Sequence, residues 1–389
     1  MLSFIVFSML LNSMSVIILQ LSQNQQHSYT GLGMLEFFKD IPIALVSIFM
    51  VDYIKKRSYY SSLSIALIIC TLCSFTIPFV SEFWFLKIWF ILIGISFSIG
   101  KICVFSIIKN ISDNEKDFSK TMSRTEAAFM LGVFIVNIEF AIILNSDYKD
   151  YWKFGFWLVG IISSWAAFQF YRIDQQDVFE IDKSHGKEVI DFRILFDYKS
   201  ILFFTIVVII VFTEQIFNSW LPTFYKHTLK ADSFFALQSS AFLALFSFIG
   251  RLLASKAVVK FSPMKIFFFC LISGIILTSS AYIIGQDTDV KVKILMFLFP
   301  MVGIFTAPLY PMLNSKYLSK FSERRVGKIV SIIILFTSLG GSIGSMSTAY
   351  IFQKNLGNYY LLFATIPLIL ILIFSTFFSI KEKISEYIK

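Results

Sequence analysis

Apolar residues fill this chain in long runs separated by short polar breaks. A helix needs about 20 apolar residues to cross the hydrocarbon core of a bilayer. Runs of that order occur at residues 2–20, 33–54, 59–80, 84–108, 122–145, 152–171, 200–225, 233–256, 263–284, 292–315, 327–351 and 358–380. They do not alternate as barrel strands do. Helices satisfy their own backbone in lipid, so the pattern predicts an all-α membrane protein with twelve transmembrane helices. Most connections are short. The exception, Arg172–Lys199, is charged and central. It predicts a first set of six spans over 1–171, a linker over 172–199 and a second set over 200–389, the layout of transporters built from repeats. The chain opens almost directly into Phe4–Leu19, with no basic stretch before it and no small-residue cleavage site after it. An uncleaved first span is expected, not a signal peptide.

Composition agrees. The chain is 57% hydrophobic and 15% charged, with 47 Phe, against about 45–50% and 25% for a soluble domain. The net charge of +9 does not call for nucleic acid, because of where the basic residues fall. About 23 of the 34 Lys and Arg lie in loops on the side of the termini and about 8 in the opposite loops, the bias of a positive-inside protein. Both termini are therefore expected in the cytoplasm, and the setting is a bacterial inner membrane. Cys70, Cys73, Cys103 and Cys270 lie in spans, where small packing residues are expected. His27, His185 and His227 lie in loops, which argues against an intramembrane histidine relay. No metal or cofactor is implied. No G-x-x-x-x-G-K-[ST] occurs, so direct drive by ATP is not expected.

The informative residues are charges inside spans. In Leu35–Arg57, LEFFKDIPIALVSIFMVDYIKKR, Glu36, Lys39 and Asp40 sit near one end. A charge near the bilayer centre costs about 2.5–3.5 kcal/mol on insertion scales. Three together are expected to face protein or water. Glu36 and Asp40 share a helix face, with Lys39 about 60° round from Glu36. Two such carboxylates do not ionise together easily without a cation. The pair is a candidate proton carrier; a fixed salt-bridge cluster with Lys39 is the alternative. In the seventh span Glu214 is followed by Gln215, Asn218 and Trp220. A carboxylate, amides and an indole suit a solute with hydroxyls or amides. Lys101 and Glu126 match in depth and are expected either to pair or to leave Lys101 free to attract an anion. Arg251 is read as an interbundle contact or an anion contact. Asn12 is a candidate hydrogen bonder in the first span. Pro300, Pro308 and Pro311 predict a kinked tenth span.

Ser47–Arg57, SIFMVDYIKKR, resembles the loop between helices two and three of the major facilitator superfamily, Gly-x-x-x-Asp-Arg-x-Gly-x-Arg-Arg. Asp52 takes the Asp position and Arg57 the first closing basic position, while Ile48, Tyr53 and Lys55 replace the other signature residues. Gly250-Arg251-Leu252 through Lys260 looks like its repeat copy. EQIFNSWLPTF (214–224) and APLYPMLNS (307–315) resemble the fucose-permease-like small-solute branch. The resemblance implies two six-helix bundles rocking about a central site, with Asp52 and Arg57 in a gating loop. Two departures matter. The first span lacks the carboxylate that such sugar permeases often carry. The fifth span, TEAAFMLGVFIVNIEFAIIL, lacks the Gly-Pro of drug antiporters, which argues against a multidrug exporter.

The expected function is secondary active transport of a small polar solute, proton-coupled, by a monomer in the lipid bilayer. If Lys101 and Arg251 face the cavity, the alternative is an organic-anion or carboxylate-siderophore permease or exporter. From another class, a solute sensor without transport also fits. An enzyme would need a nucleophile–base or metal set in the spans, and none is evident.

Overall fold

The computed structural model describes residues 1–23, 27–50, 54, 58–80, 82–111, 115–174, 197–285, 295, 298–318 and 323–387. Among them every regular element is helical. Asp52, Arg57, His185 and most of the 172–199 linker lie outside the described residues.

Among the described residues ten helices are long and apolar enough to cross a membrane. The first span is Leu2–Asn12 continued by Met14–Gln23. The third, fourth, fifth and sixth are Tyr59–Thr76, Phe83–Ile111, Glu115–Leu144 and Phe156–Asp174. The seventh, Tyr198–Thr223, runs on into a π turn at Phe224–Thr228. The eighth, ninth, eleventh and twelfth are Ser233–Ala257, Pro263–Gly285, Glu323–Gln353 and Tyr360–Tyr387.

The second and tenth predicted spans are present in pieces. The second is Tyr29–Gly33 and Leu35–Phe49, parted at Met34 just ahead of the charged turn. In the tenth, Val302–Thr306 and Leu309–Leu318 part at Ala307–Pro308. Proline explains the second break. Pro308 and Pro311 have no N–H for the carbonyls of Ile304 and Ala307, four residues earlier.

The helices pack as two bundles. The first span packs on the fourth, fifth and sixth, and the third on the fourth and sixth. The seventh packs on the eleventh and twelfth, the eighth on the tenth, and the ninth on the tenth and twelfth. Hydroxyls join helices inside the first bundle: Ser64 donates to the Ala167 carbonyl (2.9 Å), Ser163 to Leu67 (2.8 Å) and Ser98 to Ile43 (2.9 Å). Small residues allow close approach. Gly340 and Gly344, four apart on the eleventh span, lie against the backbone of Val208 and Phe212 in the seventh.

Among the described residues the main seams between the bundles are first on seventh, second on eleventh, and fifth on eighth. The face from which the first span starts is called the Met1 face. At the opposite face, Ser22 and His227 are hydrogen-bonded at 3.3 Å, and the Tyr29 N–H donates to Gln353 Oε1 at 3.1 Å. Toward the Met1 face, Ser47 donates to the Ser331 carbonyl at 3.4 Å.

Candidate functional site

Two charged clusters sit between the bundles. The first lies toward the face opposite Met1, where the second span meets the seventh and eleventh. Glu36, Lys39 and Asp40 are 0%, 7% and 7% exposed, so these three charges are buried in protein. Lys39 Nζ pairs closely with Glu36 Oε2 and stands 3.8 Å from Asp40 Oδ1. The other carboxylate oxygens take donors from the opposite bundle. Gln215 Nε2 and Ser219 Oγ donate to Glu36 Oε1 at 2.6 and 2.8 Å, and Gln215 also donates to Ser219. Ser342 Oγ donates to Asp40 Oδ2 at 2.9 Å. Room for Asp40 comes from Gly341, where a β-carbon would press on that oxygen. Room for the turn bearing Lys39 comes from Gly94 of the fourth span, which lies against the Lys39 carbonyl.

The second cluster is central and nearer the Met1 face. Arg251 of the eighth span is its hub. Its Nη1 donates to Glu126 Oε2 (3.0 Å) and to the Glu126 carbonyl (3.3 Å), across the bundle seam. Its Nε donates to the Ala307 carbonyl at 3.3 Å. That carbonyl is available because its usual helical donor would be Pro311, which has no N–H. Gly250, one residue earlier, lies against the Ile304 backbone and brings the eighth span close to this break. Arg251 Nη2 stands 3.9 Å from Glu214 Oε1, an ion pair too wide for a hydrogen bond. Lys101 interacts electrostatically with Glu126, Arg251 and Glu214. Its ammonium lies over the rings of Phe97 and Phe105, at 5.6 and 5.7 Å. Tyr310 of the tenth span completes the set.

A small, narrow cavity opens on this cluster. Its lining includes Glu214, Phe217 and Asn218 of the seventh span, Met130 of the fifth, and Ser247 and Arg251 of the eighth. The broken tenth span closes it at Thr306 and Ala307.

The structure divides the predicted residues by helix face. Glu214 and Asn218, four apart, line the cavity. Gln215 and Ser219, one residue on, turn to the second span and hold Glu36. Trp220 is not a platform in a cavity. It is fully buried, donates to Ser345 Oγ at 2.9 Å and stacks on Phe352, because the next turn of the helix points into the eleventh span. Asn12 is bonded within its own helix, to the Ser8 carbonyl at 3.0 Å. Lys101 does not pair with Glu126. Arg251 takes that carboxylate, since the fifth span packs along the eighth. Asn137 binds the first span through Ser15 at 3.4 Å. Sequence reasoning missed Ser219, Ser342, Tyr310 and Asn314. The last two lie inside the quoted 307–315 stretch, and Ser342 lies in the small-residue run Gly340–Gly344, whose density of tight contacts was the available signal. No metal-binding cluster of His, Cys, Asp or Glu occurs among the described residues.

The sequence profile of the Major Facilitator Superfamily matches residues 1–345. The chain belongs to this superfamily. No curated protein matches it in sequence. A D-xylose–proton symporter has the same fold, with a TM-score of 0.75 at 16% identity over 96% of this chain and 95% of that one. The Escherichia coli fucose–proton symporter gives 0.67 at 14% identity over 97% of each chain. A bacterial homologue of the iron transporter ferroportin, in its outward-facing state, gives 0.67 at 11% identity over 97% of this chain and 99% of that one. At these identities the likeness is one of fold. The superfamily fold of twelve helices in two six-helix bundles is thereby shown, and the chain is a multi-pass membrane protein with a transporter fold.

Proposed function

We propose that the chain is a proton-coupled secondary transporter of a small polar solute, with the solute at the central cavity and the proton at Glu36 and Asp40. Charge counting supports this division. The central cluster holds two cations, Lys101 and Arg251, and two carboxylates, Glu126 and Glu214. It is balanced without an added proton. The other cluster holds two carboxylates and one ammonium, all buried. A net charge in that setting is costly, and one proton removes it.

No other charge acts on the Glu36–Lys39–Asp40 group among the described residues. The seventh and eleventh spans present Gln215, Ser219 and Ser342 to it. On the fourth span, Lys87 lies over the rings of Phe38 and Phe83. Alternating access must separate the second span from the seventh and eleventh at this face. Separation replaces the Gln215, Ser219 and Ser342 donors with bulk water, which relieves the desolvation of the carboxylates, so the closed form holds a proton that the open form releases. The loop charges support cytoplasmic termini in a bacterial inner membrane, which makes the proton-release face the outer one.

The test is transport in proteoliposomes. Asp40→Asn fixes the neutral form. It is expected to keep counterflow exchange of labelled solute and to lose accumulation driven by an imposed proton gradient. Gradient-driven accumulation at the wild-type level in both Asp40→Asn and Glu36→Gln would remove the proton from this site.

A further inference from the structure

We infer that the central cavity takes a compact zwitterion, an α-amino acid with an uncharged apolar side chain. The inference rests on the transport reading above and names its substrate class.

The cavity is lined by two charges of opposite sign whose hydrogen-bonding capacity is unused. Arg251 has five N–H groups. Nη1 and Nε are committed to Glu126 and Ala307. Among the described residues the two N–H groups of Nη2 have no hydrogen-bond acceptor, and Glu214, 3.9 Å away, has no donor. Arg251 is buried and Glu214 partly so, and charges in such a setting left without hydrogen bonds are costly unless a partner supplies them. A ligand carrying an ammonium and a carboxylate one carbon apart meets both: the carboxylate accepts from Arg251 Nη2 and the ammonium donates to Glu214.

The rest of the wall includes Met130, Phe217 and Leu243, which suits an apolar side chain. Charge balance points the same way. The four surrounding charges sum to zero, and a zwitterion keeps that sum, whereas a dicarboxylate would bury two negative charges.

The experiment compares L-leucine with its deaminated analogue 4-methylpentanoate, its decarboxylated analogue 3-methylbutylamine, D-xylose and succinate. Binding is read by thermal shift of the purified full chain, and transport by counterflow in proteoliposomes. Leucine is expected to bind at least about tenfold more tightly than either single-charge analogue, as loss of a hydrogen bond to a charged group implies. Glu214→Gln is expected to erase the preference for leucine over 4-methylpentanoate while the preference over 3-methylbutylamine remains. A residue that only supports the fold would weaken all ligands alike, and that result would overturn the assignment of Glu214. If this variant does not fold, the wild-type analogue series decides alone. Binding of D-xylose or succinate in preference to leucine, or no binding of leucine, would overturn the zwitterion. Leucine binding without counterflow would keep the ligand class and sink the transport reading. Counterflow of D-xylose or succinate would do the reverse.

Discussion

Lys39 is the residue on which the cluster with Glu36 and Asp40 depends. Its ammonium lies between two buried carboxylates on its own helix, so it stays with them whichever way the bundles rock. Removing one partner from a buried ionic group costs about 3–5 kcal/mol. Lys39→Met is therefore expected to lower the melting temperature in detergent sharply. Lys39→Met with Asp40→Asn should recover part of the loss, since one buried carboxylate is gone; no recovery would mean that Lys39 acts through packing. The three charges could be placed together from sequence because i and i+4 share a helix face whatever surrounds the helix. The serines that hold them could not. Ser342 is one of many serines in apolar runs, most of which bond back into their own helix, as Ser96 does to Leu92. Only the packing of the eleventh span on the second brings Ser342 to Asp40.

At the scale of elements, the seventh span serves both clusters with adjacent stripes, and the tenth span serves one through its break. The prolines predicted that break, and the carbonyls they strand become ligands: Ala307 for Arg251. Gly250 makes the approach possible. Gly250→Ala would set a methyl group against the Ile304 backbone. Overpacking of this kind costs about 1–3 kcal/mol. The expected result is a lower melting temperature together with weaker ligand binding, because Arg251 is drawn off Ala307. A Gly250→Ala protein with unchanged melting temperature and binding would show that the tenth span shifts freely. Of the two readings of Lys101, a close ion pair with Glu126 is not the arrangement found, and the reason lies at this scale. Matching depth along two helices does not say which faces meet, and the fifth span turns Glu126 toward the eighth.

For the whole molecule, the seams between bundles decide which face is closed. Ser22 and His227 meet at the face opposite Met1, joining the first and seventh spans. In a background with Cys70, Cys73, Cys103 and Cys270 replaced, Ser22→Cys with His227→Cys should be joined by a short thiol-specific cross-linker. Transport should then stop, while a control pair within one bundle should cross-link without arrest. Continued transport through the joined pair would mean that this face does not need to open.

Membrane class, span number, two sixfold sets and the intramembrane charges were all determined by the sequence alone. Each follows from constraints that act locally along the chain: the thickness of the bilayer, the cost of an unpaired charge in it, and the periodicity of a helix. The partners of those charges were decided only by tertiary structure. Arg251 with Glu126, Glu36 with Gln215 and Ser219, and Asp40 with Ser342 lie between about 125 and 302 residues apart in sequence. A lipid-facing surface and a helix-facing surface are equally apolar, so composition carries almost no record of which helix lies opposite which.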